Sequence, residues 1–140
     1  MRLLNIILII FFFLTIEIEA SSKNQFIDNL KKGGNLIFIR HAYAPGSGDP
    51  QNFNLYDCST QRNLSNSGRE QSKSIGRLFL KHNIKNNNVY SSEWCRCKDT
   101  ARFAFNNYQT FKGLNSFYQD KFYKYKDEQI KSLKKYISNW

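Results

Sequence analysis

Arg40-His41 follows directly on the apolar run Leu36-Ile37-Phe38-Ile39, and a second cationic group stands in Ser91-Ser92-Glu93-Trp94-Cys95-Arg96. A neutral histidine nitrogen can attack phosphorus and form a covalent phosphohistidine, which splits one difficult transfer into two easier ones. Arginine carries a rigid fork of donors that matches the oxygens of a phosphoryl group. Between these two segments, Gly46-Ser47-Gly48 can approach an anion through backbone N–H groups and the Ser47 hydroxyl. The residue types together point to phosphate chemistry. A lone histidine would more often merely cap a strand, so the weight rests on the elements that position it.

Those elements follow from periodicity. Phe26, Ile27 and Leu30 fall at helical spacing and stop at Gly33-Gly34. Leu36 to Ile39 then predicts a strand buried on both faces, and ligands of open α/β sheets gather outside the carboxyl ends of such strands. The irregular stretch from Ala42 to Asn63 is long enough to be functional. Ser65 or Ser67 can cap a helix running to about His82, with Ile75, Leu78 and Phe79 on one face and Asn86-Asn87-Asn88 as its breaker. Val89-Tyr90-Ser91 predicts a short strand and Trp94 to about Asn107 a helix, which puts Arg96 in its first turn, where the helix dipole adds positive potential. Ile130, Leu133, Ile137 and Trp140 mark a last helix. The alternation predicts an α/β three-layer sandwich, a mostly parallel sheet covered by helices.

Three blocks carry a resemblance: Leu36-Ile-Phe-Ile-Arg-His-Ala42, Arg62-Asn-Leu-Ser-Asn-Ser-Gly-Arg-Glu-Gln71 and Val89-Tyr-Ser-Ser-Glu-Trp-Cys-Arg-Cys-Lys-Asp-Thr-Ala101. In this order and spacing the chain resembles the histidine phosphatase superfamily, also called phosphoglycerate mutase-like. The resemblance implies that His41 is the phosphorylated nucleophile, that Arg40 and Arg96 are phosphate-pocket arginines, and that Arg62 lines the same pocket. It implies no cofactor and no metal, since arginines and a helix N-terminus supply the charge stabilisation. Three departures stand out. Ala42 replaces the usual glycine after the histidine. Leu114-Asn115-Ser116 stands where the family often has an acidic glutamate, which leaves Asp49, Glu93 or Asp120 as candidate general acids. The family's second pocket histidine lies on a later apolar strand, whereas this sequence ends at Trp140 after a helix, so the expectation is a C-terminally short domain with an incomplete sheet.

Composition bounds the rest. Lys and Arg outnumber Asp and Glu by 21 to 11, a formal net charge of +10, which suits a phosphorylated ligand or peripheral contact with an anionic membrane surface. No basic-plus-aromatic nucleic-acid motif accompanies the charge, so no nucleic-acid partner is expected. Met1-Arg2, the apolar stretch Leu3 to Leu14 and the small residues Ala20-Ser21-Ser22 predict a signal peptide over 1–20. As a helix the apolar stretch would reach only roughly 20 Å, too short for a bilayer core. Residues 21–140 then form one exported domain, periplasmic or secreted, in which Cys58 pairs with Cys95 or Cys97 and one thiol stays free. The resemblance to the family's envelope phosphatases implies phosphorylated envelope components as substrates. A protein that only binds phosphate or other anions is the alternative.

Overall fold

The computed structural model describes residues 24–86 and 88–140, so the expected signal peptide lies outside the described residues. Helix α1 covers residues 24–32, followed by α2 (Asn66–Lys81), β1 (Tyr90–Ser91), α3 (Cys95–Phe105), β2 (Gln109–Thr110), α4 (Asp120–Tyr123) and α5 (Lys126–Ser138), with 3-10 turns at Cys58–Thr60 and Lys112–Leu114. The chain is therefore a mixed helix and sheet protein. Its described sheet has two parallel strands, Tyr90 paired with Gln109 and Ser91 with Thr110. Parallel strands need a crossover, and α3 supplies it, giving a small βαβ unit. Among the described residues no helix is long and apolar enough to cross a membrane.

Helix α2 starts where Ser65 Oγ accepts from Gly68 N at 3.1 Å, so Ser65 is the cap while Ser67 binds the Ser65 hydroxyl. It ends earlier than the asparagine run, at His82 and Asn83. Asn83 takes a φ of 53°, and the following Ile84 N returns to Phe79 O. That return seats Ile84 on Ile27 and Phe79, a core completed by Leu30, Ile75 and Phe105. Helices α2 and α3 approach until Gly76 meets the backbone of Ala104. An added Cβ there would stand 2.1 Å from Ala104 O. Glycine at this position is what permits the crossing.

One expectation fails. Leu36 to Ile39 is not a buried strand. It lies outside the sheet, and Ile37, Phe38 and Ile39 are 44%, 65% and 42% exposed. Among the described residues no strand pairs with it and no backbone hydrogen bond holds it, and a strand without a neighbour has neither ladder nor covering layer. Apolar content alone records a tendency to be buried, and the described fold provides nothing to bury this run. The strand β2 was not expected at all, since its two residues are polar and exposed. Ile137 and Trp140, the end of the α5 stripe, are likewise exposed.

Candidate active site around His41

His41 stands just after the apolar run, and the residues that follow it are fixed by α2 and α3. Ala42 N donates to Thr100 Oγ1 of α3 at 2.9 Å, Tyr43 N donates to Gln71 Oε1 of α2 at 2.8 Å, and Ser65 N donates to Tyr43 O. Gly68 of α2 passes so close to Tyr43 that a Cβ would meet its carbonyl oxygen at 2.0 Å. Ala42 and Ala44 are buried with Leu64, so the Ala42 methyl group is accommodated in a small core. The backbone after His41 is thus held by Thr100 of α3, by Gln71 and Gly68 of α2 and by the α2 cap Ser65.

His41 Nδ1 lies 2.7 Å from its neighbour's carbonyl, Ala42 O. A carbonyl only accepts, so Nδ1 carries the hydrogen, and in the neutral ring Nε2 keeps the free lone pair. Burial lowers the His41 pKa below its ordinary 6.5. The Ala42 hydrogen bond opposes that, while the positive charges of Arg96, Arg62 and Arg40 depress it further. At neutral pH the ring is therefore neutral, the form a nucleophile needs.

Opposite these arginines stands one buried carboxylate. Asp49 Oδ1 accepts from Arg96 Nη1 at 2.7 Å and from Arg62 N at 3.0 Å, and its Oδ2 accepts from Trp94 Nε1 at 3.0 Å. Burial raises the Asp49 pKa, but the hydrogen bonds from Arg96, Arg62 and Trp94 and the Arg96 charge outweigh it, leaving the value below its ordinary 3.8. A carboxylate held ionised by three donors cannot release a proton to a leaving group at neutral pH. Asp49 orders the arginines instead. With Arg40, Arg62 and Arg96 against Asp49, the cluster keeps two unbalanced positive charges.

The two inner arginines are used differently. Arg62 Nε donates to Gly48 O at 2.7 Å and Nη1 donates to Ala44 O, so this side chain clasps the loop that begins at Pro45. Arg96 is 91% buried as a side chain, since 9% of it is exposed. Its Nη1 serves Asp49, while its Nε is buried with no hydrogen-bond partner among the described residues. An unpaired buried guanidinium N–H is costly, so an acceptor brought to this edge would be favoured.

The remaining expected residues are spread around this centre. Arg40 is exposed, and its charge reaches His41. Ser47 sits on the exposed turn between Gly46 and Gly48, both at positive φ, and no hydrogen bond joins it to the cluster among the described residues. Glu93 and Asn115 bind reciprocally: Asn115 Nδ2 donates to Glu93 Oε2 at 2.6 Å and Glu93 N donates to Asn115 Oδ1 at 2.8 Å. Asp120 is exposed at the start of α4. The disulfide is Cys58–Cys95, which pins the 3-10 turn to the start of α3, beside the bond from Cys95 N to Gln61 Oε1. The free Cys97 lies one turn in, where burial pushes its thiol pKa up.

Several positioning groups escaped the sequence: Thr100, Gln61, the Trp94 indole, and Gln119, whose Nε2 donates to Asp49 O. Only Thr100 carried a signal, being one helical turn beyond Arg96. Among the described residues no group of three or more His, Cys, Asp or Glu side chains could hold a metal ion. No family model, curated protein or solved structure matches the chain.

Proposed function

We propose that this chain is a phosphomonoesterase or phosphoryl-transfer enzyme acting through a phosphohistidine on His41, a member of the histidine phosphatase superfamily that it resembles. The observation that carries this reading is the unpartnered buried Nε of Arg96 in a cluster with excess positive charge around a neutral histidine. With Nη1 held by Asp49, the Nε edge of the guanidinium is left for phosphoryl oxygens.

In the first step His41 Nε2 bonds to phosphorus as the ester P–O bond breaks, and the leaving alkoxide takes a proton from a carboxylic acid, Glu93 or Asp120. Water then attacks the phosphohistidine as the P–N bond breaks and gives a proton back to that carboxylate, releasing phosphate and restoring the neutral ring. The three arginines offset the charge on the transferring group throughout. Asp49 is unsuited to donate the proton, and Glu93→Gln and Asp120→Asn test the other two candidates. The three-layer sandwich, export to a periplasmic or secreted location and action on phosphorylated envelope components belong to the same proposal. The Cys58–Cys95 disulfide supports the export reading, because such bonds persist in oxidising compartments. The net charge of +10 supports an anionic substrate and peripheral contact with anionic membranes.

Hydrolysis of p-nitrophenyl phosphate is the test. His41→Ala abolishes turnover and the phosphorylated histidine seen by mass spectrometry, and Arg96→Ala lowers kcat about 100- to 1000-fold, the usual effect of removing one charge-stabilising donor. Because the His41 pKa is depressed, the acid limb of kcat/KM lies below pH 6.5, and activity falls as the pH drops through it. A folded protein without turnover overturns the enzyme assignment. The second reading, an anion-binding protein without catalysis, is favoured by the commitment of Asp49 to the arginines. It predicts phosphate binding that needs Arg96 and no phosphohistidine.

A further inference from the structure

A cavity of about 620 Å³ opens beside His41 and is continuous with it, within the usual range for a small-molecule site. Its lining includes Ile37, Phe38 and Ile39 together with Phe111, Ile137 and Trp140. Phe38 is 65% and Trp140 57% exposed. Contiguous exposed apolar side chains on a strongly basic chain mark a binding surface. His41 belongs both to this cavity and to the arginine cluster, so it joins an apolar groove to an anion site. Lys31, Lys32 and Lys85 also line the cavity. They make it unsuited to a cationic ligand and suited to an anionic amphiphile.

We propose that this groove takes the uncharged apolar body of an amphipathic phosphate monoester whose head lies at His41, which names the substrate class of the site and rests on the reading given above. A sugar phosphate would leave the walls of Phe38 and Trp140 in water. A second copy of the chain is disfavoured by the net charge of +10 on each. An apolar tail covers the run Leu36 to Ile39, which no strand or helix pairs with or covers among the described residues, and continuity with His41 sets where its head must be.

The test is binding of butylphosphonate and decylphosphonate to the full chain, read by tryptophan fluorescence, since Trp140 lines the groove. These phosphonates are not hydrolysed, so binding is read separately from turnover of p-nitrophenyl phosphate. The affinity rises roughly 50-fold from butyl to decyl, half the logarithmic gain expected for burying six more methylenes completely. Phe38→Ser, an exposed position, cuts this ratio at least fivefold. A ratio near one, a ratio untouched by Phe38→Ser, or a gain seen only once decylphosphonate aggregates overturns the groove. Hydrolysis of p-nitrophenyl phosphate with a ratio near one overturns the groove alone. A steep ratio without hydrolysis supports the groove and overturns the enzyme assignment.

Discussion

The apolar run Leu36 to Ile39 and the four residues from His41 to Ala44 are built in opposite ways. Ala42 and Tyr43 have their backbone groups taken up by Thr100, Gln71 and Ser65, and Ala42 and Ala44 are buried. Leu36 to Ile39 is more apolar, yet it is exposed, and no backbone bond holds it among the described residues. The difference shows that what fixes the candidate nucleophile is polar bonding to α2 and α3 on its far side, rather than a packed strand leading into it. Damage should therefore be graded by side.

The largest effect is expected at the staple that closes the tied side. Cys58→Ser opens a bridge spanning 37 residues, and chain-entropy reasoning gives a loss of about 4 kcal/mol, seen as a lowered urea midpoint. Smaller is Gly76→Ala, which drives a methyl group into the Ala104 carbonyl and forces α2 off α3. Overpacking of this kind costs about 1–3 kcal/mol and is measured in the same titration. Smallest is Phe38→Ser on the open side, which stays within about 0.5 kcal/mol of the parent, as surface changes do. If Phe38→Ser proved as damaging as Gly76→Ala, the two sides would not differ as described. The Asp49–Arg96 pair sharpens the contrast with pH. The depressed Asp49 pKa means that its stabilisation is complete above pH 3.8 and is lost as the pH falls through the lower folded value. An acid titration in which Asp49→Asn removes that loss checks it.

How much of this was legible in the sequence follows the same division. Helices α2 and α3 announced themselves, because a serine cap and apolar residues at spacings of three and four are local signals. Arginine charge was expected near His41 at the mouth of a strand, whereas the charges of Arg96, Arg62 and Arg40 reach His41 without that strand. The apolar run misled because composition states a preference for burial without saying whether a neighbour exists to satisfy it. Strand β2 was invisible, since two polar residues carry no period. The sequence offers Asp49 as a candidate general acid. Its actual role depends on Arg96 and Trp94, more than forty positions away, and no local pattern reports such a meeting. The same holds for Gln61 and Gln119, ordinary residues until the fold delivers a donor or acceptor to them.

Cys97 sits two residues from one half of the disulfide, close enough in sequence to compete for Cys58 during oxidative folding. Only a thiolate attacks a disulfide, and burial raises the Cys97 pKa once α3 is packed. The native pairing is thus protected from shuffling by the fold it helps to close: the rival sulfur is disarmed when the helix docks.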